Sequence, residues 1–253
     1  MTLLAAIYSL AAPSVYDGLV QARYLPGAFS QDAVSAVVAL TVLALAAVAR
    51  PDRPKVGLVA LGLLGFLAYA YGIYVIERVY NSLYLVYMAV FALSFWAVVY
   101  EAMALARENP RVRLPRSVRF VSAAGALLQP LMFYPLWIAT LLPLMAARQK
   151  IDTTYSIFVL DLCLIMPAFL ILAVDAFRGG RIGLLLPPSA FVLGFTIILP
   201  LAAVEPAKAL LGLGFDPVSF WPWLALSLLF LALGVVHLLK LQVPQTPSVR
   251  DQR

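Results

Sequence analysis

Residues 151–181 read IDTTYSIFVLDLCLIMPAFLILAVDAFRGGR, a long apolar segment with one aspartate, Asp161, well inside it. The segment ends at a glycine pair flanked by Arg178 and Arg181. About 20 apolar residues are enough for a helix to cross the hydrocarbon core of a bilayer, so the sequence predicts a transmembrane helix here. Because an ionisable side chain inside such a helix is expensive, Asp161 is a candidate functional residue.

Apolar segments of similar length fill the rest of the chain. Hydrophobic residues make up 64% of the sequence and charged residues 12%, whereas soluble domains are roughly half apolar and a quarter charged. We therefore predict an all-α protein, a polytopic transmembrane bundle of about eight helices. The predicted spans cover residues 3–20, 32–49, 56–76, 81–106, 118–146, 151–181, 182–204 and 219–241.

The first predicted span is short and contains Pro13. Because it lacks the basic stretch that precedes a cleavable signal, we expect it to be retained as a helix. One transmembrane domain is predicted over residues 1–241, followed by a disordered cytoplasmic tail over residues 242–253. Each half of the chain has an aspartate, an apolar run and a basic turn, which suggests a weak parallel repeat of about 1–106 and 118–241.

Lysine and arginine residues alternate between the loops in a strongly biased way. One set of alternate loops and the tail carries 13 of them, and the other set carries 5. Cytoplasmic loops of membrane proteins are enriched in Lys and Arg, so this split predicts a multi-pass protein of the cell membrane with both termini in the cytoplasm.

Polar and aromatic residues gather on the predicted outer side. Asp161 lies about 25 Å from the cytoplasmic edge by helical rise, and Asp32 reaches a similar height. The candidate ligand-binding residues are Asp161, Asp32, Asn81, Tyr71, Tyr84, Tyr87 and Gln129. Other interpretations stay open: an aromatic belt for the tyrosines, a structural role or a pairing with Arg78, Arg148 or Lys150 for Asp161, and inter-helix hydrogen bonding for Gln129.

Two stretches resemble a known family. YAYGIYVIERVYNSLYLVY, residues 69–87, and VLDLCLIMP, residues 159–167, are similar to patterned segments of a family of prokaryotic multi-span membrane proteins. That family pairs an aromatic-rich span with a Leu-Asp-Leu…Pro span. The chain departs from the pattern at Glu77 and Arg78, where small or apolar residues are expected. The resemblance implies no activity, but it supports Asn81 and Asp161 as positions to test.

Several function classes are disfavoured by the sequence. With one cysteine and one histidine, no disulfide or histidine-cluster metal site is predicted, and no catalytic motif or cofactor signature is found. Basic residues lie in short loops, which argues against nucleic acid as a partner. We therefore predict a transporter-like protein that binds or transports a small solute, ion or lipid at an outward-facing polar pocket.

Two alternatives remain. One is an accessory subunit of a larger membrane complex, whose partners would be other membrane subunits. The other is an enzyme that modifies a lipid or quinone, with Asp161 as acid or base. The geometry around Asp161 distinguishes the three functions. A water-filled pocket favours the transporter-like protein, a filled bundle favours the accessory subunit, and a slot open to lipid favours the enzyme.

Overall fold

The computed structural model describes residues 1–49, 53–108, 112–148 and 154–243. Within these ranges the secondary structure is helical, apart from one isolated β-bridge between Arg113 and Gln242. The all-α class is thereby confirmed. Gln242 belongs to the tail that was predicted to be disordered, whereas residues 244–253 of that tail lie outside the described residues.

Ten α-helices are found in the described part of the chain. Seven of the helical segments there are long and apolar enough to cross a membrane, which confirms a polytopic helical bundle. A π-helix, Asp161–Ile165, joins α6 and α7 into one such segment. The helices are α1 Thr2–Ala11, α2 Leu25–Val48, α3 Pro54–Ile76, α4 Tyr84–Glu108, α5 Arg116–Ala147, α6 Tyr155–Leu160, α7 Met166–Arg178, α8 Arg181–Leu185, α9 Pro187–Leu210 and α10 Pro217–Lys240.

The first predicted span is the segment that differs most from expectation. Helix α1 has 10 residues, so it is about 15 Å long and covers roughly half of the hydrocarbon layer. Pro13 then begins a 3-10 turn that ends at Tyr16, because its ring prevents the helix from continuing. Residues 1–22 contain no Lys or Arg, so the biased charge count does not depend on this segment.

Helices α3 and α9 form the centre of the bundle. They approach closely at Gly62, where a Cβ atom would lie 2.4 Å from the carbonyl oxygen of Ser189 and 2.7 Å from Cβ of Val192. The Ser189 hydroxyl donates to the carbonyl of Leu58 at 2.7 Å. Glycine at this position therefore allows the two backbones to pack directly against each other.

The sixth span departs from α-helical geometry where Asp161 lies. Pro167 occupies the beginning of α7, and a proline has no N–H to donate to the carbonyl four residues earlier. The preceding turn is a π-helix, a wider turn that is frequent at functional sites. The span ends at Gly179, whose φ of 76° is left-handed.

The successive spans are antiparallel, so their loops collect at two ends. One end contains loop 77–83, Arg148, the beginning of α6 and loop 211–216. We refer to it as the predicted outer end, because it carries the smaller number of basic residues.

Candidate functional site

Asp32 is fully engaged in hydrogen bonds at the predicted outer end. Its side chain lies on α2 and is 1% exposed. The Tyr16 hydroxyl donates to Oδ2 at 2.6 Å, and the Tyr74 hydroxyl donates to Oδ1 at 3.0 Å. Burial, together with the neighbouring charge of Asp32, raises the pKa of Tyr16 above its ordinary value, so its phenol stays a donor. Two buried phenols thus satisfy both carboxylate oxygens.

Two further tyrosines fill the space beside Asp32. Tyr87 stacks on Tyr74 with ring centroids 4.9 Å apart, and Tyr71 packs against both rings. The Tyr71 hydroxyl donates to the carbonyl of Thr2 at 3.3 Å, which connects α3 to α1. We call Tyr16, Tyr71, Tyr74 and Tyr87 the tyrosine cluster. All four are buried, so this part of the predicted polar pocket is occupied by protein side chains.

Asn81 joins the tyrosine cluster from the loop before α4. Its amide nitrogen donates to the Tyr87 hydroxyl at 3.1 Å and to the carbonyl of Val15 at 3.4 Å. Its amide oxygen accepts a hydrogen bond from the backbone N–H of Leu83 at 2.9 Å. Asn81 therefore links the loop, α4 and the segment after α1.

Tyr84 and Gln129 lie apart from this cluster. The Tyr84 hydroxyl donates to the carbonyl of Val75 at 3.1 Å, and its ring packs edge-on against Tyr80. Gln129 is 2% exposed on α5, and its Oε1 has no hydrogen-bond partner among the described residues. Asp32, Asn81, Tyr71 and Tyr87 therefore lie together in one packed cluster, whereas Tyr84 and Gln129 lie apart from it; a ligand-binding role for these residues stays a prediction.

Asp161 occupies a second junction, formed by α3, α5 and the π-helix. It is 4% exposed, and the indole N–H of Trp137 donates to Oδ2 at 2.8 Å. Tyr69 from α3 lies close enough to interact electrostatically with the same carboxylate. Oδ1 has no hydrogen-bond partner in the described part of the chain. Asp161 is thus a half-satisfied buried carboxylate, and such groups are rare without a functional or structural reason.

The partner of Asp161 differs from the basic residues that the sequence suggested. Arg148 lies at the end of α5 with an exposed side chain. Trp137, about three turns earlier on the same helix, provides the hydrogen bond instead. Lys150 lies outside the described residues. The sequence signal that could have found Trp137 is the indole N–H itself, which needs an acceptor when it is buried.

A groove runs along the surface of the bundle between α5 and α6 at the predicted outer end. Its volume is about 420 Å³, and its lining is apolar except for Arg148 and Tyr155 at its outer limit. Phe158 lies in its wall and packs edge-on against Trp137 with ring centroids 5.0 Å apart. These two rings pack beside the Asp161 junction. The groove is lined by Leu141, Leu144, Met145, Arg148, Tyr155, Phe158, Val159, Leu162 and Cys163.

A third polar contact, near the opposite end, involves the single histidine. The ring of His237 is fully buried, with Nδ1 2.7 Å from the Ser122 hydroxyl and Nε2 2.9 Å from the carbonyl of Leu184. A carbonyl can only accept, so Nε2 carries the proton; in the neutral ring Nδ1 then accepts from the Ser122 hydroxyl. Sequence reasoning assigned His237 no role; it connects α5, α8 and α10.

Metal binding finds no support in the described ranges, where no group of three or more His, Cys, Asp or Glu side chains is arranged to hold an ion. Comparison of the chain with protein-family models, with curated proteins and with solved structures gives no match. The resemblance to prokaryotic multi-span proteins therefore stays a prediction, and the function must be inferred from the geometry of the spans.

Proposed function

We propose that this protein binds a membrane lipid in the groove between α5 and α6. The observation that carries the proposal is the position of the groove: apolar walls on the flank of two membrane-spanning segments, with polar residues only at its outer limit. Concave, mostly apolar sites with a few placed polar groups are typical of ligand binding. Val159 and Met145 are 46% and 70% exposed, so a lipid chain can enter sideways from the bilayer.

The buried carboxylates support lipid over the other two predicted ligands. A water-soluble solute or ion needs a hydrated path, yet Asp32 and Asp161 are 1% and 4% exposed. The tyrosine cluster fills the space around Asp32, and the rings of Trp137 and Phe158 pack beside Asp161. Transport of a polar solute would require these rings to move apart.

The charge bias adds an orientation to this proposal. With the 13 basic residues of one loop set on the cytoplasmic side, the groove lies in the outer leaflet of the cell membrane. The end of α10 then faces the cytoplasm. Seven crossings would put the beginning of α2 on the outer side, and the side on which residue 1 lies depends on α1.

The only cysteine of the chain, Cys163, lies in the groove and provides the test. A fluorophore attached to Cys163 of the purified full chain is titrated with phospholipid that carries bromine on its acyl chains. We expect saturable quenching at low lipid content. The matched control carries Cys163→Ser and Ile171→Cys, because Ile171 is 63% exposed on the same span and lies outside the groove.

A blocking variant makes the test specific. Val159→Phe adds bulk to the wall of the groove, whereas Ile171→Phe adds the same ring to the open surface. Only Val159→Phe should abolish the saturable phase. Identical quenching curves at positions 163 and 171, or no effect of Val159→Phe, would show that lipid touches the groove no differently from the rest of the bundle.

An accessory-subunit role has one observation in its favour. Both oxygens of Asp32 are satisfied by Tyr16 and Tyr74, which is the filled interior that such a role predicts. A partner helix would then occupy the groove in place of lipid. Quenching at Cys163 that is absent in native membranes and gained after purification would favour this second function.

A further inference from the structure

We infer that Arg148 selects the phosphate of a glycerophospholipid whose acyl chain lies in the groove; this inference rests on the proposed lipid-binding function. Arg148 is the only charged residue in the lining that the structure describes. Its guanidinium matches the paired oxygens of a phosphate, with which it can form two parallel hydrogen bonds.

The groove is polar at its outer limit and apolar along the rest of its length, as a phospholipid is polar at its headgroup and apolar along its chains. From Arg148 the apolar wall on α5 continues to Leu141, about 10 Å deeper by helical rise. The facing wall continues from Tyr155 to Cys163, about 12 Å deeper. The cation thus lies at the level of the headgroups, and the apolar part of the groove covers roughly the outer third of a hydrocarbon layer about 30 Å thick.

The backbone holds Arg148 at this position. It ends α5 in a left-handed conformation, with φ of 51° and ψ of 36°, and its N–H bonds to the carbonyls of Leu144 and Met145. Both of these residues line the groove. The turn therefore places the arginine directly above the apolar wall of its own helix.

The polar groups that the structure describes near Arg148 leave its guanidinium available. Among the described residues no carboxylate pairs with Arg148. Glu77 accepts a hydrogen bond from the backbone N–H of Ser156 at 2.8 Å. The Tyr155 hydroxyl donates to the carbonyl of Ile76, so Tyr155 contributes its ring to the groove. Arg148 is then the group of the described lining that can bind an anion.

Native mass spectrometry of the solubilised full chain tests the inference with three lipids. Phosphatidylglycerol supplies the phosphate, diacylglycerol with the same chains lacks it, and oleic acid supplies a carboxylate. We expect the wild type to prefer phosphatidylglycerol over the other two. Arg148→Gln should weaken phosphatidylglycerol binding by about tenfold or more, to the level of diacylglycerol, because charge-assisted hydrogen bonds are lost.

Arg78 provides the matched control. It is also an exposed arginine at the predicted outer end, it also has a left-handed backbone with φ of 57°, and it does not line the groove. Arg78→Gln should bind all three lipids as the wild type does, and Arg148→Lys should retain part of the preference. Equal losses in Arg148→Gln and Arg78→Gln would overturn the inference, as would a wild type that binds diacylglycerol or oleic acid as tightly as phosphatidylglycerol.

The two proposals fail in different ways. If Val159→Phe removes binding of all three lipids while Arg148→Gln changes nothing, the groove binds lipid and the headgroup inference is wrong. If Val159→Phe has no effect on any lipid, the proposed function itself is wrong.

Discussion

The hydroxyl of Tyr16 donates a 2.6 Å hydrogen bond to Asp32, so the 3-10 turn after α1 is tied to the buried face of α2. Tyr74 completes the contact from α3. One carboxylate therefore joins three segments that are distant in sequence. A buried carboxylate with two phenol donors acts as a structural centre of the predicted outer end.

Removal of the Asp32 carboxylate should destabilise the protein strongly. Asp32→Ala removes the short contacts that the hydroxyls of Tyr16 and Tyr74 make with the carboxylate and leaves only longer ones, from Tyr16 to the Tyr74 hydroxyl at 3.2 Å and from Tyr74 to the carbonyl of Ala28 at 3.3 Å; the loss should cost about 3 kcal/mol. Asp17→Ala is the control, since Asp17 is exposed. Thermal unfolding in detergent should show a clear loss for the first variant and almost none for the second; equal transition temperatures would contradict the structural role.

Trp137 should matter for stability more than an exposed tryptophan does. Trp137→Phe removes the indole N–H that donates to Asp161, and a buried carboxylate that loses its donor should cost about 2 kcal/mol. Trp96→Phe, at a position 65% exposed, should be close to neutral. The measurement is again the thermal transition of both variants. A Trp137→Phe protein as stable as Trp96→Phe would mean that Asp161 finds another donor at no cost.

The pair formed by Ser122 and His237 predicts a coupling energy. Ser122→Ala should cost about 1 kcal/mol and His237→Phe more, because the latter also leaves the carbonyl of Leu184 unpaired. Ser117→Ala, five residues earlier on the same helix and exposed, serves as the control. A double-mutant cycle measured by unfolding should give a non-additive result for the pair. Additive losses would show that the hydroxyl and the ring do not interact.

Gly62 and Gly27 should respond in opposite ways to the same substitution. Gly62→Ala places a methyl group against Ser189 and Val192, so α3 and α9 must separate and stability should fall by at least about 2 kcal/mol. Nothing lies within 4 Å of a Cβ at Gly27, inside α2. Gly27→Ala should therefore be neutral or stabilising by about 0.5–1 kcal/mol, since alanine favours helix. Expression level and thermal transition in detergent measure both.

Hydropathy alone predicted the spans well. The sequence placed a helix on residues 56–76 and the structure has Pro54–Ile76; it placed one on 118–146 and the structure has Arg116–Ala147. A long apolar segment crosses a bilayer as a helix, because a helix satisfies its backbone hydrogen bonds within the segment itself. The first segment differed most, since Pro13 divides an apolar run that composition alone cannot divide. Two further spans extend beyond their predicted bounds: α2 begins at Leu25 where residue 32 was predicted, and α9 ends at Leu210 where residue 204 was predicted.

Side-chain partners were harder to predict than spans. Asp32 accepts hydrogen bonds from the buried phenols of Tyr16 and Tyr74, whereas the hydroxyl of the neighbouring Tyr71 donates to a backbone carbonyl. The partner of Asp161 depends on how α5 is rotated about its axis. The rotation of a helix about its axis is decided by packing against its neighbours, and a single sequence does not reveal that packing.

The wide turn at residues 161–165 has a consequence for the register of the whole sixth span. A π turn holds more residues than an α turn, so deleting Leu164, which is 47% exposed, would let the turn close to α-helical spacing. The two flanks would keep nearly their present orientation after that deletion, whereas a continuous α-helix over all of the present residues would rotate one side of the turn by about 100° relative to the other. In that continuous helix Phe158 could no longer face α5 while Phe169 stays buried against Phe230. The extra residue in the turn therefore fixes the angle between the two parts of the span. With it, one helix presents a lipid-facing surface and a core surface that a regular α-helix of this sequence would not align.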